Sequence, residues 1–262
     1  MITRRVRIGV GMCVHNEQDY IEFSIRAVYG FADVIAISIN TGVPWGGEYE
    51  ELDSTVDIVS SFPDPSGKIR LHTGQWWNEV EQRNANLDTI RGDIDYYMVV
   101  DADEIYTCEG LRRLRRFIAW RPHIGQFRTR LVTYWKTNPF CRIEPPEPLR
   151  AHAVSRVRKD TRFVDLRRTN EFWRATVPRS VAVCHHFSYA RSSEKILQKL
   201  RNFSHREEVV SNWYQDAWLR WDSDRELTNL HPTHPWKFRQ AVRVEPSELP
   251  EVMRSHPFAK PR

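Results

Sequence analysis

The sequence predicts an α/β fold in which a mostly parallel central sheet is flanked by helices. Segments typical of strands alternate with segments of helical periodicity through the first hundred residues, which is the pattern of β-α-β units. Residues 34–39 and 96–100 consist almost entirely of apolar and aromatic residues, as expected of strands buried on both faces. The second run leads directly into three carboxylates, Asp101, Asp103 and Glu104. Because ligands of open α/β sheets bind at the carboxyl edge of the strands, this point is also the first candidate site.

The expected elements of the first half follow one another closely. The expected strands are 6–14, 34–39, 69–72 and 96–100, and the expected helices are 19–30, 54–62 and 79–90. Residues 43–53 contain a proline and two adjacent glycines and are expected to form a loop. Gly9 and Gly11 lie inside the first strand instead of following it, so the sequence does not predict a dinucleotide-binding turn of the G-x-G-x-x-G type.

The second half of the chain has a different character and is rich in arginine. Helices are expected over 110–120 and 192–213, and strands over 125–134 and 181–187. A proline-rich loop that includes residues 144–148 separates the two strands. From residue 231 onward the chain has many prolines and few periodic apolar positions, which predicts a wrapped or mobile extension.

Charge divides the chain at a similar place. Residues 1–110 contain 8 Lys and Arg against 19 Asp and Glu, a net charge of −11, whereas residues 111–262 contain 31 against 15, a net charge of +16. We therefore expect one domain over 1–215, with its basic half at 111–215, and an extension over 216–262. A basic half of this strength either pairs with the acidic half or receives an anionic partner, such as a nucleic acid, a membrane surface or a phosphorylated glycan.

The composition is that of an ordinary globular protein, with 40% hydrophobic and 28% charged residues. No stretch approaches the roughly 20 apolar residues that a transmembrane segment needs, and the amino terminus lacks the apolar region of a signal peptide. The four cysteines are widely spaced and form no C-x-x-C pair, which favours reduced thiols over a disulfide framework or a zinc site. We therefore expect a cytoplasmic protein without a transmembrane segment.

The carboxylates that follow residue 100 predict a cation site. Clustered carboxylates raise one another's pKa unless a cation neutralises them, and Mg²⁺ or Mn²⁺ does this through oxygen ligands shared with substrate phosphates. An acidic loop that caps the next helix is the alternative interpretation. Residues i and i+2 of an extended chain point the same way, so Asp101 and Asp103 can face one site while Glu104 points away from it.

Several motifs, in this order, resemble those of family 2 glycosyltransferases with the GT-A fold. Residues 14–17 look like the turn after the family's first strand, Arg83-Asn84 like an Arg-Asn pair that precedes the acidic strand, and Asp101-Ala102-Asp103 like the D-x-D motif. Residues 156–171 resemble a segment ending in a His-Glu pair, which here is Asn170-Glu171, and residues 185–189 resemble an H-aromatic-x-Tyr segment that precedes a Lys-rich helix, here with Lys195, Lys199 and His205. The resemblance covers roughly residues 6–215.

The resemblance implies a metal-dependent hexosyltransferase that takes its sugar from a nucleotide-diphosphate donor, with a UDP-sugar favoured. The D-x-D motif implies Mn²⁺ or Mg²⁺, held by Asp101, Asp103 and His186, with Asp103 as the leading direct ligand. The residues expected to contact the donor follow the strand ends and precede the acidic strand: His15, Asn16, Glu17, Asn40, Arg83 and Asp101. Within the domain, 1–110 would bind the donor and 111–215 the acceptor.

The expected general base is Glu171, which ends the segment that resembles the family's His-Glu pair. An inverting transfer needs a carboxylate within hydrogen-bond reach of the acceptor hydroxyl. Glu144 and Glu147, on the proline-rich loop, are competing candidates.

Three alternative functions remain open at this point. A nucleotidyltransferase would use the same acidic edge and metal, together with a Gly-rich phosphate loop near the first strand. A non-enzymatic nucleic-acid-binding protein would use the basic half. Glycosyl transfer and nucleic-acid binding also combine in a glycosyltransferase that modifies hydroxylated bases of DNA. The acceptor of the transferase could equally be a glycan or a lipid-linked glycan.

Overall fold

The computed structural model describes residues 5–43, 45, 47–137, 140–202, 206–222 and 229–259. In these residues the strands are β1 (Ile8–Val14), β2 (Val34–Asn40), β3 (Ile69–Gly74), β4 (Tyr96–Val99), β5 (Glu104–Ile105), β6 (Gln126–Trp135), β7 (Cys141–Glu144), β8 (Arg150–Arg156), β9 (Arg174–Thr176), β10 (Val183–Tyr189) and β11 (Gln240–Arg243). The α-helices are α1 (Ile21–Tyr29), α2 (Thr55–Ser60), α3 (Glu79–Ile90), α4 (Cys108–Ala119) and α5 (Ser193–Asn202).

These strands form one mixed sheet, in the order β11-β7-β6-β8-β4-β1-β2-β3. The strands β3, β2, β1 and β4 are parallel, as expected, but β8 is antiparallel to both β4 and β6. Both β9 and β10 run parallel to β6, and β5 pairs with β10. The α/β fold with flanking helices is therefore confirmed, whereas the sheet is mixed and not mostly parallel.

The parallel strands are buried on both faces, as their composition predicts. Every residue of β1, β2 and β4 is buried. On one face, α1 and α4 contribute Ile25 and Leu114 to the main core, and on the other α3 packs Leu87 against the sheet. Gly11 is required here, because a Cβ atom at this position would lie 1.5 Å from the hydroxyl oxygen of Tyr97.

The antiparallel part of the sheet is where the sequence-based expectations were least complete. Residues 150–156 alternate charged and small residues and form the unexpected strand β8. The helix expected over 192–213 ends at Asn202 where α5 ends, residues 203–205 lie outside the described part, and residues 206–208 form a 3₁₀ turn. Trp213 instead packs edge-on against Trp135, with the ring centroids 6.0 Å apart.

The last described residues wrap around the domain. The strand β11 pairs with β7, and Leu249 and Met253 are buried in a cluster with Tyr20 and Phe187. His256 stacks on the Tyr20 ring at 4.9 Å. These last described residues therefore pack against the start of α1, close to the end of β1.

Two further findings concern the whole described part. All four cysteines are free thiols. Within the residues that the structure describes, no helix combines the length and the apolarity needed to cross a membrane.

Candidate functional site

A cleft of about 440 Å³ lies at the carboxyl edge of the parallel strands. One wall consists of polar residues that follow or end β1 and β2: His15, Asn16, Glu17 and Asn40. The other lining residues include three cations that follow β10 or lie on α5: Arg191, Lys195 and Lys199. The fold therefore brings four of the predicted donor contacts and three cations to one cleft, where Arg191 contacts Glu17 and Lys195 contacts Asn16.

The turn after β1 is tied closely to its surroundings. His15 Nδ1 lies 2.9 Å from the backbone oxygen of Asn40, which joins the ends of β1 and β2. Asn16 has a positive φ of 51°, and its side chain bonds to the backbone of Glu51 and Asp53. These bonds fix the turn that the sequence predicted as part of the site.

Arg191 sits between two carboxylates at the floor of the cleft. It is 5% exposed and donates to both oxygens of Glu17, at 3.0 and 2.8 Å, and to Oδ2 of Asp103 at 2.8 Å. Burial would raise the pKa of Asp103, but His186, Arg191 and Lys199 outweigh it and hold that pKa well below its usual value. For Glu17 burial wins over Arg191 and raises the pKa to about 7.

Two more arginines neutralise the rest of the acidic strand end. Arg83 donates to Oδ1 of Asp101 at 2.9 Å and also binds Glu79. Arg167 binds both oxygens of the buried Glu104, at 2.6 Å each, and lies 3.8 Å from Asp101. Although burial opposes it, the charges of Arg167 and Arg83 lower the pKa of Asp101. Asp101 and Asp103 are thus held in their charged form.

A divalent cation fits only part of the predicted ligand set. Among the described residues, no group of three or more His, Cys, Asp and Glu side chains is arranged to hold a metal. Asp103 Oδ1 and His186 Nε2 face each other at 3.7 Å, whereas the oxygens of Asp101 are turned toward arginines. Mg²⁺ keeps several waters and takes phosphate oxygens, so a pair of protein donors is compatible with it. Asp103 and His186 therefore fit the cation, while Asp101 does not point to it.

Glu171 is not brought to the cleft. Its carboxylate accepts from Arg158 at 2.5 Å and from Thr161 at 2.6 Å. The backbone oxygen of Trp173 accepts a hydrogen bond from Gln126 at the start of β6. Gln126 pairs with Ser155 of β8, and Ser155 pairs in turn with Tyr97 at the start of β4. Asp101 follows the other end of β4, roughly 13 Å away at the usual rise of a strand. Glu171 thus lies at the amino edge of the sheet.

The two competing carboxylates on the proline-rich loop have different environments. Glu144 is bound by Arg142 at 2.8 and 3.1 Å. Glu147 is buried and accepts from the hydroxyl of Thr133 at 2.5 Å. Thr133 is paired with His186 in the β6–β10 ladder, and paired residues of neighbouring strands share a face. Glu147 therefore lies one side chain away from His186.

Two arginines of the site were missed by sequence reasoning. Arg191 comes two residues after the aromatic segment that ends β10, so its place beside a predicted site segment could have identified it. Arg167 lies in a loop with several other arginines, and nothing local distinguishes it from Arg162 or Arg168. Its role depends on the loop crossing over the end of β4, which the sequence does not show.

Comparisons with known proteins give little sequence similarity. No protein-family model matches the chain, and no curated protein sequence matches it. S. aureus TarS 1-349 in complex with UDP-GlcNAc has a TM-score of 0.43 and 14% identity, with 74% of this chain and 64% of that chain covered. The 4-diphosphocytidyl-2C-methyl-D-erythritol synthase of Anaerococcus prevotii has a TM-score of 0.42 and 14% identity, with 74% and 96% covered. The chain spans slightly less than two thirds of the TarS 1-349 chain.

Proposed function

We propose that the chain transfers a hexose from a nucleotide-diphosphate sugar, with a UDP-sugar favoured, to an acceptor hydroxyl with inversion. The observation that carries this proposal is the cleft, in which Arg191, Lys195 and Lys199 lie beside the polar ends of β1 and β2. The cations suit a diphosphate, and the amide and imidazole groups of the same cleft suit a ribose and a base. The free thiols agree with a cytoplasmic location for this activity.

The cleft's own side chains would bind and orient the donor. Lys199 is half-buried, and this burial lowers its pKa; its Nζ lies 3.2 Å from the backbone oxygen of Ser188. Lys195 lies 3.2 Å from Asp53, so it is held near the loop that follows β2. Both ammonium groups can reach a bound phosphate by a change of side-chain conformation, because helix α5 fixes their backbone positions.

Asp103 and His186 are the residues that would hold Mn²⁺ or Mg²⁺. A bound divalent cation supplies neutralisation of the negative charge that develops on the leaving diphosphate. Arg191 keeps Asp103 ionised and fixes the direction of its free oxygen, since the other oxygen accepts the arginine's hydrogen bond.

We also propose Glu147, and not Glu171, as the general base. In the transfer, the acceptor oxygen forms a bond to the anomeric carbon while the bond from that carbon to the diphosphate breaks. The diphosphate leaves with the electron pair, and the acceptor's proton passes to the base. Glu147 lies beside His186 on the face that leads to the cleft, whereas Glu171 lies at the opposite edge of the sheet.

The test is a screen of UDP-, GDP-, ADP- and dTDP-sugar hydrolysis by the intact chain, with and without Mn²⁺. We expect turnover of at least one donor, stimulated by Mn²⁺. Asp103→Asn should lower kcat by about 10²–10³-fold, because it removes the charge that faces His186. Asp57→Asn, on an exposed position of α2, is the matched control. Absence of binding and turnover of every donor would refute the proposed function.

A further inference from the structure

Glu104 closes the turn that carries Asp103. Its Oε2 accepts a hydrogen bond from the backbone N–H of Asp101 at 3.2 Å, and its own N–H donates to the backbone oxygen of Asp101 at 2.9 Å. The backbone oxygen of Asp103 in turn accepts from the N–H of Phe187, which follows His186. Because Glu104 holds the turn through both its side chain and its backbone, it fixes the path of the chain through Asp103.

Arg167 is the cation that neutralises this buried carboxylate. The Glu104 side chain is only 1% exposed, and Nη1 and Nη2 of Arg167 donate to its two oxygens at 2.6 Å each. Two parallel hydrogen bonds of this kind are the most directional pairing of a guanidinium with a carboxylate. Removal of one partner leaves an unpaired buried charge, which costs far more than removal of both. The direction of the Glu104 carboxylate therefore depends on Arg167.

The loop that carries Arg167 is a short hairpin anchored on α3. Phe163 and Thr169 form an isolated β-bridge across its base. The Asn84 side chain donates to the backbone oxygen of Phe163 at 3.1 Å and accepts from its N–H at 2.8 Å. The buried Phe163 ring packs edge-on against Tyr97, with the ring centroids 5.5 Å apart. The hairpin thus presents Arg167 from a fixed base, as a residue that supports a site requires.

The Arg-Asn pair of α3 consequently holds the acidic turn in two ways. Arg83 contacts the turn directly, because it donates to Oδ1 of Asp101 at 2.9 Å. Asn84 contacts it indirectly, because it anchors the hairpin that carries Arg167. Two consecutive residues of one helix therefore support both ends of the turn from Asp101 to Glu104.

We propose that Arg167 is a positioning residue for the divalent cation, since it acts through Glu104 to aim the free oxygen of Asp103 at the metal that Asp103 and His186 would hold. This inference rests on the proposed function, because it concerns the metal site of the proposed transferase. Arg167 does not itself bind the cation. Residues that orient metal ligands in this way change metal affinity by about 10–100-fold when they are substituted.

The test compares the binding of a nucleoside diphosphate to the intact chain in Mn²⁺ and in EDTA. UDP, GDP, ADP and dTDP are titrated into the wild type by calorimetry, and the one that binds most tightly in Mn²⁺ is used for the variants. We expect Mn²⁺ to raise the affinity of the wild type, and Arg167→Gln to reduce this gain by about 10–100-fold. The affinity in EDTA should not change, because the cations of the cleft are untouched.

Three further variants make the test specific. Arg168→Gln removes the same charge from an exposed position of the same hairpin and should keep the wild-type gain. Arg167→Lys keeps the charge but loses the two parallel hydrogen bonds, so it should lose part of the gain. Glu104→Gln/Arg167→Met leaves no buried charge unpaired, and its new amide oxygen can still accept from the N–H of Asp101. This double variant should recover most of the gain.

A loss of the Mn²⁺-dependent gain in Arg167→Gln, with recovery in the double variant, supports the proposal. An unchanged gain, an equal loss of affinity in EDTA, or no recovery in the double variant overturns it. If Arg167→Gln does not fold, a full wild-type gain in Arg167→Lys overturns it instead. A wild type that hydrolyses a donor without any effect of Mn²⁺ refutes this inference and leaves glycosyl transfer standing. A wild type that binds none of the four diphosphates and hydrolyses no donor refutes both.

Discussion

The cleft differs from the face of β6, β8 and β9 that carries Arg128, Arg130, Arg150 and Arg174, called here the arginine face. Both depend on arginine, but they use it in opposite ways. In the cleft each guanidinium lies between carboxylates, as Arg191 does between Glu17 and Asp103. On the arginine face the cations lie opposite one another, as Arg130 and Arg150 do. The first arrangement is satisfied within the described protein, whereas the second is not.

The difference separates positioning from recognition. A buried arginine between two carboxylates fixes their directions and keeps them ionised, although its net contribution to stability is small once the cost of desolvation is included. Exposed cations without partners raise the local potential and attract anions from solution. The cleft is thus organised by its own ion pairs, whereas the arginine face keeps the repulsion between Arg130 and Arg150.

The largest expected effect tests which carboxylate, Glu147 or Glu171, is the general base. Glu147 accepts a hydrogen bond from Thr133, whereas Glu171 is bound by Arg158. We expect Glu147→Gln to lower kcat by about 10²–10⁴-fold with little change in KM for the donor. The measurement is steady-state kinetics with the donor and acceptor found in the screens.

Glu171→Gln is the matched comparison for that experiment. It should leave kcat within about twofold and lower the melting temperature, because Arg158 and Thr161 lose a buried partner. A large fall in kcat for Glu171→Gln with none for Glu147→Gln would contradict both the assignment and the pairing argument.

The next effect concerns the free energy of unfolding that is lost because Glu17 is buried in the cleft. Burial raises the pKa of Glu17 to about 7 in the folded chain, above its ordinary value of 4.5. Between these values the folded state holds more protons than the unfolded state, so the free energy of unfolding must fall as pH rises. We expect the wild type to lose up to about 3 kcal/mol between pH 5 and 8 relative to Glu17→Gln.

Urea unfolding at pH 5, 6, 7 and 8 measures this difference. Glu22→Gln, on the exposed side of α1, is the control and should follow the wild type at each pH. Parallel pH profiles of the wild type and Glu17→Gln would show that Arg191 fully compensates the charge of Glu17.

The sequence was informative where one local pattern decides the structure. The apolar runs of β1, β2 and β4 have no other favourable environment than the centre of a sheet, so the parallel half and the edge with His15, Asn16 and Asn40 could be predicted. Asp101 and Asp103 follow from the same reasoning, because they come directly after β4.

The missed features depend on contacts between distant segments. Arg167 reaches Glu104 across 63 positions, and Arg191 reaches Glu17 across 174. The strand β8 carries Arg150, His152 and Arg156 among small residues, so its pattern looks like a solvated loop. The prediction that Glu171 lies at the site was wrong for a related reason. Its loop runs from the cleft to the opposite edge of the sheet.

The smallest expected effect comes from a substitution that gives the arginine face an ion pair like those of the cleft. Arg150→Glu places a carboxylate opposite Arg130 and replaces a like-charged pair by an ion pair. We expect it to stabilise the fold by up to about 1 kcal/mol, or about 2–4 °C in Tm, as measured by thermal unfolding. Arg179→Glu, at an exposed position outside the ladder, should shift Tm by much less. A variant that is not more stable would show that the charges of Arg130 and Arg150 are already compensated.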